Sequence, residues 1–152
     1  MQSISKDEAR ALMAGHFLLE DAPDWCPSKG RPWHQAIDCG ILQLDGTRAG
    51  LLARFEITLS PKTGIRTWQF TLFKTQVAGL VRVYQMTVTH FTHRPVKDKH
   101  RLSHEHVGQA RVELPSESDN WTFDQAMSHF CRQTGLTITP PIQDPQRMSL
   151  KS

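Results

Sequence analysis

A chain of 152 residues, 38% hydrophobic and 22% charged, has the material for one ordinary core and little more. No apolar run approaches the roughly 18 residues a transmembrane helix needs, and "MQSISKDEARALMAG" lacks the basic and long apolar regions of a signal peptide, so neither is expected. A net charge of +3 permits an anionic partner such as nucleic acid without requiring one.

Cys26, Cys39 and Cys131 are odd in number, far apart and form no CxxC pair, so reduced thiols in a cytoplasmic protein are expected.

In chain order, residues 5–20 (SKDEARALMAGHFLLE) read as an amphipathic helix. Ser5 and Glu8 fit a capping box, and Ala9, Leu12, Met13, His16 and Phe17 recur at helical spacing. Residues 21–33 carry three prolines and a glycine and read as an irregular arm, pinned to the body by Trp25 and Trp33. From residue 34 the period changes to two. "HQAIDCGILQL" and "GLLARFEITL" flank "DGTR" as a hairpin, and "TWQFTLFKTQ", "LVRVYQMTVTH" (80–90) and "HEHVGQARVEL" (104–114) follow as strands. Residues 122–135 read as a helix: Thr122 and Gln125 make a capping box, Phe123, Ala126, Met127 and Phe130 form a stripe, and Gly135 supplies the stop. "LTIT" adds a short edge segment, and 140–152 has the composition of a flexible tail.

The expected fold is therefore a single α+β domain over 1–139. It is a curved antiparallel meander of about five strands, flanked by an N-terminal and a C-terminal helix packed on one side.

The segment "THFTHRPVKDKHRLSHEH" (89–106) holds five of the eight histidines: His90, His93, His100, His104 and His106. Side chains alternate along a strand, so parity decides which of them share a face. If His90 stands opposite His104, then His90, His104 and His106 gather at the open end of a core-facing surface. Arg94, Lys97, Lys99, His100 and Arg101 of the connecting loop then reach the same mouth, with Tyr84 deeper on that face and Glu105 on the other. A slip of one residue would part the two sets.

Three readings fit such a cluster. Metal-independent phosphodiester cleavage needs a base, an acid and a cation; His90, His104 and His106 supply the imidazoles, while Arg94, Lys99, His100, Arg101 and Tyr84 contact substrate. A metal-dependent hydrolase or dioxygenase on the same three rings is the second. It lacks a carboxylate on the expected face and sits in a cationic loop, so no metal or other cofactor is expected. The third is a binding module that grips protein or nucleic acid without catalysis. For His16, His34 and His129, which have no such company, an ordinary structural role is expected.

The strand ending "VYQMTVTH", the "HRP…KHR" loop, the "HEH.G" element and the helix with Trp121, Phe123, Ala126 and Phe130 together resemble small His-rich bacterial proteins of toxin–antitoxin or mobile-element type. The resemblance covers residues 84–130. It implies a toxin-like endoribonuclease acting on RNA and restrained by an antitoxin-like protein, with His90, His100, His104 and His106 as the residues carried over.

Overall fold

The computed structural model describes residues 2–90 and 103–145, with Pro32 described by its backbone alone. Two helices, α1 (Lys6–Met13) and α2 (Phe123–Thr134), accompany nine strands among these residues. The strands are β1 (Phe17–Glu20), β2 (Cys26–Ser28), β3 (Arg31–Gln43), β4 (Arg48–Leu59), β5 (Arg66–Gln76), β6 (Gly79–His90), β7 (His104–Val107), β8 (Ala110–Glu113) and β9 (Leu136–Thr139). They form one sheet in the order β8-β7-β6-β5-β4-β3-β1-β9, with β2 paired onto β3. The class is α+β, as the sequence pattern indicates. The sheet, however, has nine strands rather than about five, is mixed rather than wholly antiparallel, and is not strongly curled.

The central meander follows directly from alternation. Asp45 and Gly46 turn β3 into β4: Gly46 has φ +87°, and the Asp45 carboxylate accepts from the Thr47 N–H at 2.9 Å. Pairing Phe55 with Phe70 and Phe70 with Met86 then stacks one apolar row across β4, β5 and β6. α2 lies on that row. Its Thr122–Gln125 capping box closes the first turn, and Gly135 ends it in the left-handed region at φ +73°. Phe130 meets the edges of Phe55 at 5.4 Å and Phe70 at 5.9 Å, while Phe123 meets Trp68 at 5.7 Å. Each such ring contributes about 1.5–3 kcal/mol by burial, with edge contacts adding about 0.5–1.5 kcal/mol. Ala9 of α1 joins the same cluster, so both helices pack on this inner face.

Four segments depart from the sequence pattern, each because a tertiary constraint overrides a local one. Helical spacing predicts one helix to residue 20, yet α1 stops at Met13 and residues 17–20 become β1, which runs parallel to β9. The Phe17 N–H donates to the Gly135 oxygen at 2.9 Å, and any Cβ on Gly135 would stand 2.1 Å from the Gly15 oxygen. That close backbone approach leads the chain out of the helix and into the sheet. The Pro-rich arm contains β2. Trp25 does pin it, donating from Nε1 to the Gln143 oxygen at 2.7 Å, whereas Trp33 is 39% exposed. Ile142, inside the stretch with tail-like composition, is buried in the core cluster.

The fourth departure matters most. Residues 104–114 are not one strand but a hairpin, with Val107 opposite Ala110 around Gly108 and Gln109. Gly108 has φ +57°, and a Cβ there would lie 2.4 Å from the Ser5 oxygen. Only glycine fits where α1 begins against this turn.

Candidate functional site

A two-residue turn reverses side-chain parity. Beyond it, even positions such as Ala110 and Val112 share the face of odd positions Glu105 and Val107 before it. Reading Ala110, Val112 and Leu114 back across the turn therefore assigns His104 and His106 to the core side, and this is incorrect. In the observed register Thr87 stands opposite His104, Gln85 opposite His106 and Met86 opposite Glu105. This is three residues from the pairing of His90 with His104 that the sequence suggests, an odd shift that changes faces. His104 and His106 project to the outer face. His90 stays on the inner one beside Trp68, at a ring separation of 4.4 Å. The expected convergence of all three rings does not occur.

What the structure does bring together is smaller. The rings of His104 and His106 lie 5.1 Å apart and nearly perpendicular. A bulge at Val83 pairs Arg82 with Phe73, placing the guanidinium on the outer face although Tyr84, two residues on, faces inward. Arg111 stands directly opposite His106. Burial first, then the charges of Arg82, His104 and Arg111, push His106 from 6.5 down to about 4. At neutral pH that ring is an unprotonated imidazole among cations. Its Nδ1 and the Arg82 Nε are buried without a hydrogen-bond partner. Among the described residues no helix covers this outer face, because both helices pack on the other. Arg82 and Arg111 were missed by sequence reasoning: a bulge hides the first and the turn hides the second.

The inner face holds a second polar group that sequence reasoning set aside. Glu105 accepts from the Tyr84 hydroxyl at 2.5 Å, and its other contact is with His129 Nε2 at 3.0 Å. Burial alone would raise the Glu105 carboxyl, but the bonds from His129 and Tyr84 outweigh it and hold the pKa low. Tyr84 is driven upward by burial and by the Glu105 charge. It is fully buried, and its hydroxyl is spent on Glu105, the carboxylate that His129 of α2 also holds. His129 also stacks at 5.0 Å from Trp121. Its partner, Glu105, is legible only once Val107 sets the inward parity.

His90 lines a cavity of about 380 Å³ at the end of β5 and β6, together with Arg66, Trp68, Trp121 and the first residues of α2. Burial lowers its basicity, partly offset by the Trp121 backbone. His34 lies on the outer face, its Nδ1 hydrogen-bonded to Ser28 and its Nε2 3.3 Å from Glu56, which also accepts from Gln69. Arg54 forks onto Asp38 at 2.7 and 3.1 Å. The expected substrate contacts Arg94, Lys99, His100 and Arg101 fall outside the described residues.

No three His, Cys, Asp or Glu side chains converge to hold a metal ion among the described residues, and the three cysteines are free. No helix of the described residues is long and apolar enough to cross a membrane.

Fold and site together define an α+β protein with a helix-covered inner face and an outer face carrying paired imidazoles and arginines. Comparison with protein-family models, curated proteins and solved structures finds no match for the chain.

Proposed function

We propose that the protein engages RNA through the outer face of β6, β7 and β8 and cleaves it without a metal, as a toxin-type endoribonuclease. One observation carries this reading: two imidazoles 5.1 Å apart, one of them unprotonated down to about pH 4, beside Arg82 and Arg111. Cleavage of a phosphodiester by its own 2′-hydroxyl requires a base for that proton and an acid for the departing 5′-oxygen. His106, neutral at physiological pH, takes the 2′-proton. The oxygen so released attacks phosphorus, and His104 gives its proton to the 5′-oxygen as the P–O bond breaks. The products are a 2′,3′-cyclic phosphate and a 5′-hydroxyl. Arg82 and Arg111 balance the charge that gathers on the phosphorane. An antitoxin-like protein would restrain such an enzyme by covering the same face.

The test is an RNA-cleavage assay in excess EDTA with end-group analysis. His104→Ala and His106→Gln lose at least about 100-fold in rate, the lower end of what a positioned acid or base supplies, while His90→Ala retains activity. Equal cleavage by all three variants, or cleavage only with added divalent metal, overturns the proposal.

A second reading, a binding module without catalysis, is favoured by one fact: His104 is only 9% exposed, which limits its access to substrate. RNA bound but left intact by the wild-type protein selects that reading.

A further inference from the structure

The inner-face cavity has a chemistry unlike that of the outer face. In its wall, Arg66 Nε, Trp68 Nε1 and His90 Nε2 are all buried with no hydrogen-bond partner. Buried polar atoms are almost always paired, so three orphans around one cavity point to a missing partner. Arg66 and the indole can only donate. The imidazole can accept or donate at Nε2, and the lowered basicity of His90 favours the neutral ring. Trp68 is 3% exposed and Trp121 and Phe123 supply further aromatic wall. The first turn of α2 also opens here, its Gln125 and Thr122 N–H groups already taken by the capping box.

An oxyanion fits this cavity poorly. Asp124 and Asp144 line it, and the charges of Asp119 and Asp144 already act on His90. A wholly apolar ligand would leave the three nitrogens unsatisfied. A planar, uncharged ligand with donors on one edge and acceptors on another would meet all three nitrogens and fit the aromatic wall.

We infer that this cavity is a nucleobase pocket that selects guanine. The O6 and N7 atoms of guanine accept from Arg66 and the Trp68 indole. Its N1–H and N2–H donate to His90 Nε2 or the Asp124 carboxylate, and its ring lies among the tryptophans. Adenine offers a donor where guanine has O6, so it fails at Arg66 or Trp68. The base comes either from a free nucleotide or from single-stranded RNA. The inference goes beyond the cleavage proposal, because it holds or fails without the outer-face histidines.

The test is calorimetric titration of the full chain with each of the four nucleosides, with GMP and with the trinucleotide ApGpA. Guanosine binds saturably and at least about tenfold more tightly than the other three nucleosides; Arg66→Met and Trp68→Phe each weaken it by about tenfold, the effect of one lost hydrogen bond. His106→Gln leaves it unchanged, which separates this result from the outer-face proposal. Tighter binding of ApGpA than of GMP assigns the base to RNA, and the reverse assigns it to a free nucleotide. If a variant misfolds, the indole N–H resonance of Trp68 decides in the wild type, shifting on guanosine addition. An unmoved resonance, no saturable binding, or equal binding of all four nucleosides overturns the inference.

Discussion

Acidification perturbs this protein at one ring above others. His106 is moved from 6.5 to about 4, first by burial and then by Arg82, His104 and Arg111. The unfolded chain takes up this proton at its ordinary pKa, and the folded chain resists it until about 4. The contribution to stability is therefore complete above about pH 6.5 and lost as the pH falls through about 4. Taken in full, a displacement of this size corresponds to about 3 kcal/mol. The ring keeps some contact with solvent and the arginines are screened, so about 1–2 kcal/mol is the expected share. Urea denaturation of wild type and His106→Gln between about pH 7 and about pH 4, at constant ionic strength, measures it. Glutamine takes up no proton, so the wild type should lose about 1–2 kcal/mol more than the variant across this window. His90, also lowered by burial, acts alike in both proteins and cancels. Parallel pH dependences, or a His106 ring resonance that titrates at its ordinary value, would refute the reasoning.

Tyr84→Phe removes the hydroxyl that Glu105 accepts from at 2.5 Å and should cost about 1.5–3 kcal/mol in a denaturant melt, the range for bonds to charged groups. Gly108→Ala forces a Cβ to 2.4 Å from the Ser5 oxygen at φ +57° and should cost more than about 1 kcal/mol, read as a lower thermal midpoint. Arg82→Met and Arg111→Met should each weaken RNA binding in all sequence contexts and lower the slope of log affinity against log salt by about 1.

The parts of the fold legible in sequence are those whose signals are local. The Thr122–Gln125 box, the Gly135 stop and the Asp45–Gly46 turn each lie within a few residues and appear as expected. The parallel β1–β9 pair joins segments more than a hundred residues apart, and Phe17–Glu20 also fits a helical stripe, so periodicity favours the wrong element. At the site, the grouping of His104 with His106 on one face was legible because an i, i+2 pair on a strand is local. Which face they occupy was not. The turn at Gly108 and the bulge at Val83 each invert parity, and neither carries the Asn-Gly or Asp-Gly signature that marks Asp45–Gly46. Two inversions moved His90 and Tyr84 away from the histidine pair and brought Arg82 to it.

The outer face is tested most directly by mapping amide and ring resonances of the protein on titration with a short RNA carrying 2′-O-methyl groups, which keeps the RNA backbone but lacks the attacking hydroxyl. Shifts concentrated at Arg82, His104, His106 and Arg111, with the Phe123–Thr134 helix unmoved beyond its first turn, are the predicted result. Shifts confined to that helix and β9, or no shifts at low salt, would contradict it.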